Sequence, residues 1–283
     1  MINRKTKIYL LLALLAVALI LFFIIRSDSQ KLKVVFLNVG QGDAILISQG
    51  SNQILIDGGP NEQVLMDELG KYVPFWDRKI ELMIATHPDQ DHISGLIAVA
   101  KNYQVGAFMD PDIVDNTPAY QQLKKVIREK NIPEITALSG EKIKMNGAEM
   151  DILHPDAGEI FADTNSASVV AKLVFGKNSF LFTGDLPNEK EAELIAEEKD
   201  LSAEVLKVGH HGSRHSTSEE FLDAVKPQDA VISVGKHNMY GHPTKEVLDR
   251  LQAKGIRIFR TDQSGDMVYE CQNKDELCQM VAN

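Results

Sequence analysis

From residue 33 onwards, the chain alternates between short apolar runs and longer helix-like segments. Runs such as 33–39 and 53–57 are rich in branched apolar residues and are followed or closed by Gly or Asp, a combination that favours β-strands. The segment 117–130 is longer and carries Pro118 near its start, which is typical of the first turn of a helix. This order of elements predicts an α+β domain in which two sheets lie between helices.

The same pattern gives bounds for the individual elements. The predicted strands span 33–39, 44–48, 53–57, 80–86, 134–138, 141–145, 149–153, 168–175, 179–183, 204–208, 229–234, 257–260 and 267–270. The predicted helices span 61–72, 93–102, 117–130, 187–197, 217–225 and 243–254.

The N-terminal segment has a different pattern. Residues Ile8 to Ile25 form 18 consecutive uncharged and almost wholly apolar positions, preceded by three basic residues. A helix of that length rises about 27 Å, close to the thickness of a bilayer core. The run is typical of a signal anchor or a signal peptide, and we expect a retained single-pass anchor with the domain outside the membrane; secretion after cleavage is the alternative. The predicted organisation is a basic tail at 1–7, a transmembrane anchor at 8–25, a linker at 26–32 and one domain at 33–283.

Composition limits the possible partners. The chain has 283 residues, of which 44% are hydrophobic, and a formal net charge of -10. An acidic protein is poorly suited to tight, sequence-independent binding of duplex DNA, which requires Lys and Arg at the phosphates. The two cysteines, Cys271 and Cys278, lie outside the histidine motifs and either pair with each other or remain free thiols.

Potential metal ligands are concentrated in one loop. His87, Asp89, Asp91 and His92 fall within six residues, between a strand-like and a helix-like segment. A loop at a strand end, backed by the start of a helix, can hold metal ions with open coordination positions. A lone loop histidine is more often solvated than metal-bound, but most of the eight histidines here lie near strand ends or in loops with glycines.

Several motifs together resemble the metallo-β-lactamase superfamily, and most closely the metallo-hydrolase domain of the ComEC family of DNA-internalisation competence proteins. They are the segments 38–44, 55–59, 86–92, 183–185, 206–213 and 240–243. The resemblance implies a four-layer αββα sandwich with a metal centre at the sheet edges. Asp89 stands where the superfamily usually has His, which favours Mn²⁺ or Mg²⁺ more than three imidazoles would. The chain lacks the many membrane helices of a ComEC channel.

The resemblance also implies roles for individual residues. His87 and Asp89 would hold the first of two divalent ions (Zn or Mn, with Mg possible), and Asp91 and His92 would help to hold the second. Asp185 would bridge the ions, and one of His210 and His211 would complete the second site. The remaining residues of interest are Asp43 and Asp57 as supports for the ligands, Asn165, Ser166, Ser213 and His242 as substrate contacts, and Asp91, Asp185 and His242 as catalytic residues.

Structural alternatives stay open for several of these residues. Asp185 could be a helix N-cap, and His242 could be a ligand, an acid, a phosphate contact or a structural cap. His154 is expected to be structural, and His215 and His237 are expected at the surface.

The expected function is a metal-dependent phosphodiesterase or nuclease that acts on DNA or oligonucleotides outside the membrane, with a DNA-uptake channel as its partner. Two alternative functions belong to other classes of protein. One is an envelope phosphoester hydrolase of the phosphorylcholine or teichoic-acid type, and the other is a non-catalytic accessory protein.

Overall fold

The computed structural model describes residues 5, 9–17, 31–111 and 113–281. The fifteen strands of this part of the chain are β1 (Leu32–Phe36), β2 (Ile45–Gln49), β3 (Asn52–Ile56), β4 (Lys79–Ile84), β5 (Gln104–Asp110), β6 (Glu134–Thr136), β7 (Lys142–Lys144), β8 (Glu149–His154), β9 (Val170–Phe175), β10 (Asn178–Phe182), β11 (Val205–Lys207), β12 (Asp229–Ile232), β13 (Arg257–Arg260), β14 (Met267–Cys271) and β15 (Gln279–Val281). The helices are α1 (Glu62–Tyr72), α2 (Gln90–Asn102), α3 (Pro118–Glu129), α4 (Asn188–Ala196), α5 (Glu219–Val225), α6 (Lys245–Ala253) and α7 (Thr261–Ser264).

The strands form two sheets. The first has eight strands in the order β15-β14-β1-β2-β3-β4-β5-β6, and the second has seven in the order β13-β12-β11-β10-β9-β8-β7. The strands β3 to β6 run parallel to one another, as do β10 to β13. Because parallel strands end at the same edge of a sheet, the loops after β3, β4, β10 and β11 can converge on one site.

Alternating apolar residues of the strands place one core between the sheets and a further core outside each sheet. In β1, Val34 and Phe36 face the second sheet, whereas Val35 packs against the helices. In β10, Phe180 and Phe182 join the core between the sheets, and the ring of Phe182 lies 6.1 Å from that of Phe36. Full burial of such a side chain contributes about 1.5–3 kcal/mol.

Helices cover both outer faces of this sheet pair. Residues of α1, α2 and α3 share a core with the first sheet, including Leu65, Leu96 and Leu123. Residues of α4, α5 and α6 share a core with the second sheet, including Leu194 and Phe221. The layers are therefore helix, sheet, sheet, helix, as expected for an αββα sandwich.

Two strands of the structure were absent from the sequence prediction, β5 and β15. The strand β5 lies inside the first sheet, parallel to both β4 and β6. Its third residue is Gly106, where an added Cβ would lie 2.5 Å from the carbonyl oxygen of Glu81. Glycine weakens the sequence signal for a strand, although close backbone approach is a common reason for its presence.

The C-terminal strands are joined by a disulfide bond. Cys271, at the end of β14, pairs with Cys278, just before β15, with 4.1 Å between their Cα atoms. The sequence had left this pairing open.

The predicted membrane anchor requires a correction. Of residues 8–25, the structure describes 9–17, which are helical; the others lie outside the described residues. In the described part of the chain, no helix has the length and apolar character needed to cross a bilayer. The predicted single-pass membrane location is corrected on this ground.

The contact between α2 and the turn after β3 holds the metal-ligand loop in place. Gly95 donates a hydrogen bond of 3.0 Å to the carbonyl of Gly59, and Gly58 donates one of 2.6 Å to the carbonyl of His92. A Cβ added at Gly95 would lie 1.9 Å from the carbonyl oxygen of Gly58. Only glycine therefore permits this approach of helix and turn.

We expect Gly95→Ala to lower the free energy of unfolding by about 1–3 kcal/mol, because the helix must move away from the turn. Gly70→Ala is the matched control, since its Cβ meets nothing within 4 Å and alanine favours a helix by about 0.5–1 kcal/mol over glycine. Urea unfolding of both variants tests this. Equal stability of the two variants would show that the contact does not constrain the fold.

Candidate metal centre

Loops from both sheets bring acidic residues and histidines together between the sheet edges. Asp57 follows β3, and His87 comes shortly after β4. From the second sheet, Asp185 follows β10, and His211 lies in a 3-10 turn after β11. All four side chains are buried. Residues far apart in sequence are therefore neighbours because their strands end at a shared edge.

The first turn of α2 supplies further groups. His92 is fully buried, whereas Asp91 is partly exposed. Asp89 occupies the N-cap position of the helix but makes no capping hydrogen bond with its side chain. The carboxylates of Asp89 and Asp91 are therefore not used to cap the helix.

Hydrogen bonds fix the orientation of the three buried imidazoles. His92 Nδ1 lies 2.8 Å from Asp57 Oδ2, and His211 Nδ1 lies 2.9 Å from the carbonyl oxygen of Ser233. The hydroxyl of Thr86 donates to Asp57 at 2.7 Å, so it can accept from His87 Nδ1, 3.0 Å away. Each Nδ1 is thus a donor, which leaves the lone pair of each neutral ring on Nε2.

The Nε2 atoms of these three histidines point into the centre. All three are buried and have no hydrogen-bond partner among the described residues. The Oδ2 atom of Asp185 lies 3.4 Å from His92 Nε2 and 3.5 Å from His211 Nε2. Asp91 Oδ2 lies 3.4 Å from His211 Nε2. Buried imidazole nitrogens without partners, together with nearby carboxylates, are the donor set expected of a divalent metal site.

The donors form overlapping groups in which all ligand atoms lie within 4.8 Å of one another. The groups are His87, His92 and Asp185; Asp91, His92 and His211; Asp43, Asp185 and His211; and Asp43, Asp57 and His92. Asp185 belongs to two of the groups and His92 to three. This overlap suits more than one metal ion.

The structure distinguishes His210 from His211, which the sequence did not. Both residues have left-handed backbone conformations, with φ of 47° and 54°. Such conformations are costly for non-glycine residues and persist where the surroundings enforce them. As a result, His211 is buried in the centre, whereas the side chain of His210 is 31% exposed and its Nε2 lies 3.7 Å from Asp185 Oδ2.

Asp89 also lies at the rim of the centre. Its Oδ2 is 3.7 Å from His87 Nε2, and its side chain is partly exposed. Burial raises the pKa of Asp89, while a hydrogen bond from Thr164 acts in the opposite direction. Asp89 therefore borders the donor groups without joining them.

The predicted substrate contacts occupy two places. Asn165 and Ser166 lie in a 3-10 turn directly after Thr164, and the buried Oδ1 of Asn165 has no hydrogen-bond partner among the residues that the structure describes. Ser213 is buried, and its hydroxyl accepts a hydrogen bond from the backbone of His215. The first pair thus lies near Asp89, while Ser213 stabilises its own loop.

His242 lies at the rim, with its ring 5.7 Å from that of His210. Burial and the charges of His210 and His211 lower the pKa of His242 to about 4, which makes it neutral at physiological pH. Its Nδ1 is buried and has no hydrogen-bond partner within the described part of the chain.

The remaining predictions concern residues with structural alternatives. Asp185 is not a helix N-cap, because Pro187 holds the N-cap position of α4. His154 is buried and hydrogen-bonds the carbonyl of Ser168, whereas His215 and His237 are exposed.

Lys207 is a buried residue of the centre that sequence reasoning missed. Its ammonium contacts the carboxylate of Asp43, lies 3.6 Å from Asp185 Oδ1 and donates a hydrogen bond of 2.9 Å to the carbonyl of Gly184. A signal for it exists in the sequence, since a lysine interrupts an apolar strand three residues before the histidine pair.

The charges of the centre shift the pKa values of its members. Burial lowers the pKa of His92, but Asp185 and Asp57 outweigh this effect and hold it well above the ordinary value. Burial likewise opposes protonation of His211, but Asp185 and Asp43 raise its pKa to about 9. Burial raises the pKa of Asp185, but His211 and His92 hold it well below its usual range. A metal ion must therefore displace protons from the histidines in order to bind.

Comparison with known proteins identifies the family. The sequence model described as "Metallo-beta-lactamase superfamily" matches residues 37–237, most of the chain. The chain belongs to the metallo-beta-lactamase superfamily. This superfamily consists generally of metal-dependent hydrolases. The resemblance noted in the sequence is confirmed.

Homologues of the chain include members of the ComEC family. It is 33% identical to ComE operon protein 3 of Bacillus subtilis over 271 residues, which cover 90% of this chain and 35% of the relative. It is 30% identical to competence protein ComA of Neisseria gonorrhoeae over 233 residues, which cover 82% of this chain and 31% of the relative. The chain thus spans about a third of the length of these curated relatives.

Among solved structures, the metallo-beta-lactamase fold protein YhfI of Bacillus subtilis is similar, with a TM-score of 0.59 and 13% identity. The match covers 85% of this chain and all of YhfI. This similarity supports the αββα fold.

We expect Lys207→Met to destabilise the metal-free protein by about 3–5 kcal/mol, because two buried carboxylates lose their counter-charge. Lys172→Met is the matched control: Lys172 is also buried in the second sheet, but its partner Asp200 has a side chain 76% exposed to solvent. Loss of that pair is expected to cost about 1 kcal/mol. Urea unfolding in chelator measures both, and a similar loss in the two variants would contradict the role given to Lys207.

Asp57→Asn is expected to lower the affinity for Mn²⁺ or Zn²⁺ by about 10- to 100-fold, because an amide holds the His92 imidazole in its ligating orientation less strongly than a carboxylate does. Calorimetric titration of the metal-depleted chain measures the affinity. Asp200→Asn serves as the exposed control and is expected to bind metal like the wild type. Unchanged affinity in Asp57→Asn would mean that Asp57 does not support the ligands.

Proposed function

We propose that this protein is a hydrolase with two divalent metal ions that cleaves phosphodiester bonds in DNA or oligonucleotides. The observation that carries the proposal is the convergence of three buried imidazole Nε2 atoms on the carboxylate of Asp185.

The charge of the centre supports two metal ions. Five carboxylates and one ammonium surround it, so four negative charges remain when all are ionised; two divalent ions would neutralise them. The residues are Asp43, Asp57, Asp89, Asp91, Asp185 and Lys207. Carboxylates favour Mn²⁺ or Mg²⁺, while the imidazoles also suit Zn²⁺. The residues that would hold the ions are His87, Asp91, His92, Asp185 and His211, with Asp89 beside His87 at the rim.

Bound divalent ions supply Lewis-acid stabilisation of a phosphodiester and lower the pKa of bound water. The chain itself orients the groups around them. Lys207 interacts with the Oδ1 side of Asp185, which leaves Oδ2 directed at the histidines. His242, neutral and at the rim, is suited to a hydrogen bond with a substrate oxygen rather than to proton donation, which needs a pKa closer to the working pH.

The proposed substrate rests on the relatives and on charge. Their names include "Competence protein ComA", which associates them with competence. The net charge of -10 disfavours long duplexes. A single strand or a short oligonucleotide presents fewer phosphates to this acidic surface, so it is the preferred form in this proposal. On the same basis, we propose a DNA-uptake channel as the partner.

A cleavage assay of the metal-depleted full chain tests the activity. Mn²⁺, Zn²⁺ or Mg²⁺ is added with single- or double-stranded oligonucleotides, and the products are resolved by electrophoresis. We expect metal-dependent cleavage that Asp185→Ala and His211→Ala each reduce by at least about 100-fold, since loss of a ligand exceeds the effect of losing its support.

His237→Ala provides the matched control, because it removes an exposed histidine. It is expected to cleave at the wild-type rate. Absence of cleavage by the wild type, with about two metal ions bound per chain, would refute the nuclease activity. Cleavage retained in Asp185→Ala would place the activity elsewhere.

A further inference from the structure

A loop beside the metal centre exposes two large side chains that the centre does not use. The loop joins β12 to α6 and carries Met239 and Tyr240, which are 95% and 67% exposed. Single exposed apolar residues are common on protein surfaces. Met239 and Tyr240 lie three and two residues before His242 in the chain. They therefore belong to the segment that forms part of the rim of the metal centre.

The loop is held in a defined shape. The side-chain amide of Asn238 donates hydrogen bonds of 3.0 Å to the carbonyl of Gly235 and 2.8 Å to that of His242, and its oxygen accepts one of 3.0 Å from the backbone of His242. Thr244, just after the loop, donates to the carbonyl of Gly212 at 2.9 Å. The loop is therefore fixed to the turn that carries His210 and His211.

Aromatic rings connect the loop to the centre. The rings of Tyr240 and His242 are stacked, with centroids 5.9 Å apart and planes at 26°. The ring of His242 lies 5.7 Å from that of His210, whose Nε2 is 3.7 Å from Asp185 Oδ2. The rings of His242 and His210 thus lie between the exposed ring of Tyr240 and the carboxylate of Asp185.

We propose that Tyr240, supported by His242, is a stacking platform for an unpaired nucleobase of the substrate strand. The proposal rests on the phosphodiesterase function above and specifies the form of its substrate. An exposed ring stacks with any base, and each such contact contributes about 1–3 kcal/mol. A base within a duplex has both faces covered by its neighbours, so the platform selects single strands or strand ends.

Charge beside the platform supports this ligand over a purely apolar one. Lys236 lies on the same loop, and Arg214 follows the histidine turn to which the loop is fixed; both are exposed. Cations on the same loop as an aromatic platform, and after the turn to which that loop is fixed, suit a ligand with a flat base and a phosphate backbone. On a protein of net charge -10, they also supply a local attraction for the strand.

A pair of chromogenic substrates isolates the base. Thymidine 5′-(p-nitrophenyl phosphate) and methyl p-nitrophenyl phosphate release the same leaving group, but only the first carries a nucleobase. For the full chain with Mn²⁺, we expect Tyr240→Ala to lower kcat/KM for the thymidine ester by about 5- to 100-fold, mainly through KM. Its kcat/KM for the methyl ester should stay within about twofold of wild type. Tyr240→Phe, which keeps the ring, should retain activity on both.

Trp76→Ala is the matched control, since it removes another exposed aromatic residue, on the loop between α1 and β4; it should affect neither substrate. Equal loss on both esters, or no loss on either, would overturn the platform while leaving the hydrolase activity intact.

If the wild type hydrolyses neither ester, the proposed activity fails, and fluorescence anisotropy with a thymidine 12-mer and an abasic 12-mer tests the platform separately. The platform is supported if Tyr240→Ala binds the thymidine 12-mer more weakly than the wild type does but binds the abasic 12-mer equally well. Equal binding of the thymidine 12-mer by wild type and variant would refute it.

Discussion

Several carboxylates are buried between two sheet edges, and each buried negative charge requires a compensating partner. Lys207 contacts Asp43 and approaches Asp185, while His92 contacts Asp57. Much of the local structure follows from this requirement. It accounts for a lysine inside an apolar strand, and for backbone conformations that would be unfavourable elsewhere.

The unusual backbone conformations lie at the strand ends. Asp57, His210 and His211 all have positive φ. The free energy for holding these three residues in strained conformations comes from the cores around the sheets, which are continuous on both faces of each sheet. The rigid layers thus allow short loops to hold metal ligands in positions that an isolated loop could not maintain.

The centre and its surroundings place opposite demands on charge. The donors are predominantly carboxylates, and the whole protein is acidic, yet the proposed substrate is a polyanion. Metal ions would neutralise the negative charge of the centre. Outside the centre, stacking on an aromatic ring attracts a strand without depending on net charge. The platform and the metal site thus address different parts of one substrate: the base and the phosphate.

Local patterns in the sequence determined the elements and the ligand types. Apolar alternation predicted most strands, because most strands are buried on at least one face. The ligand loop 86–92 was recognisable because its residues are adjacent in the chain, and the family motifs implied Asp185. The strand β5 was missed because its glycine reflects contact with the neighbouring strand, which is information the segment itself does not contain.

Tertiary structure decided which of these residues meet, and how. His210 and His211 are chemically identical neighbours in one tight turn, yet the folded structure buries His211 in the centre and leaves His210 at the rim. Lys207 gained its role from Asp43, which lies 164 residues earlier and on the other sheet. Composition and spacing specify which metal-donor residues the chain carries. The burial of each donor, and the charge that compensates it, depend on the residues of the opposite sheet. These neighbours are fixed only when the two sheets pack together.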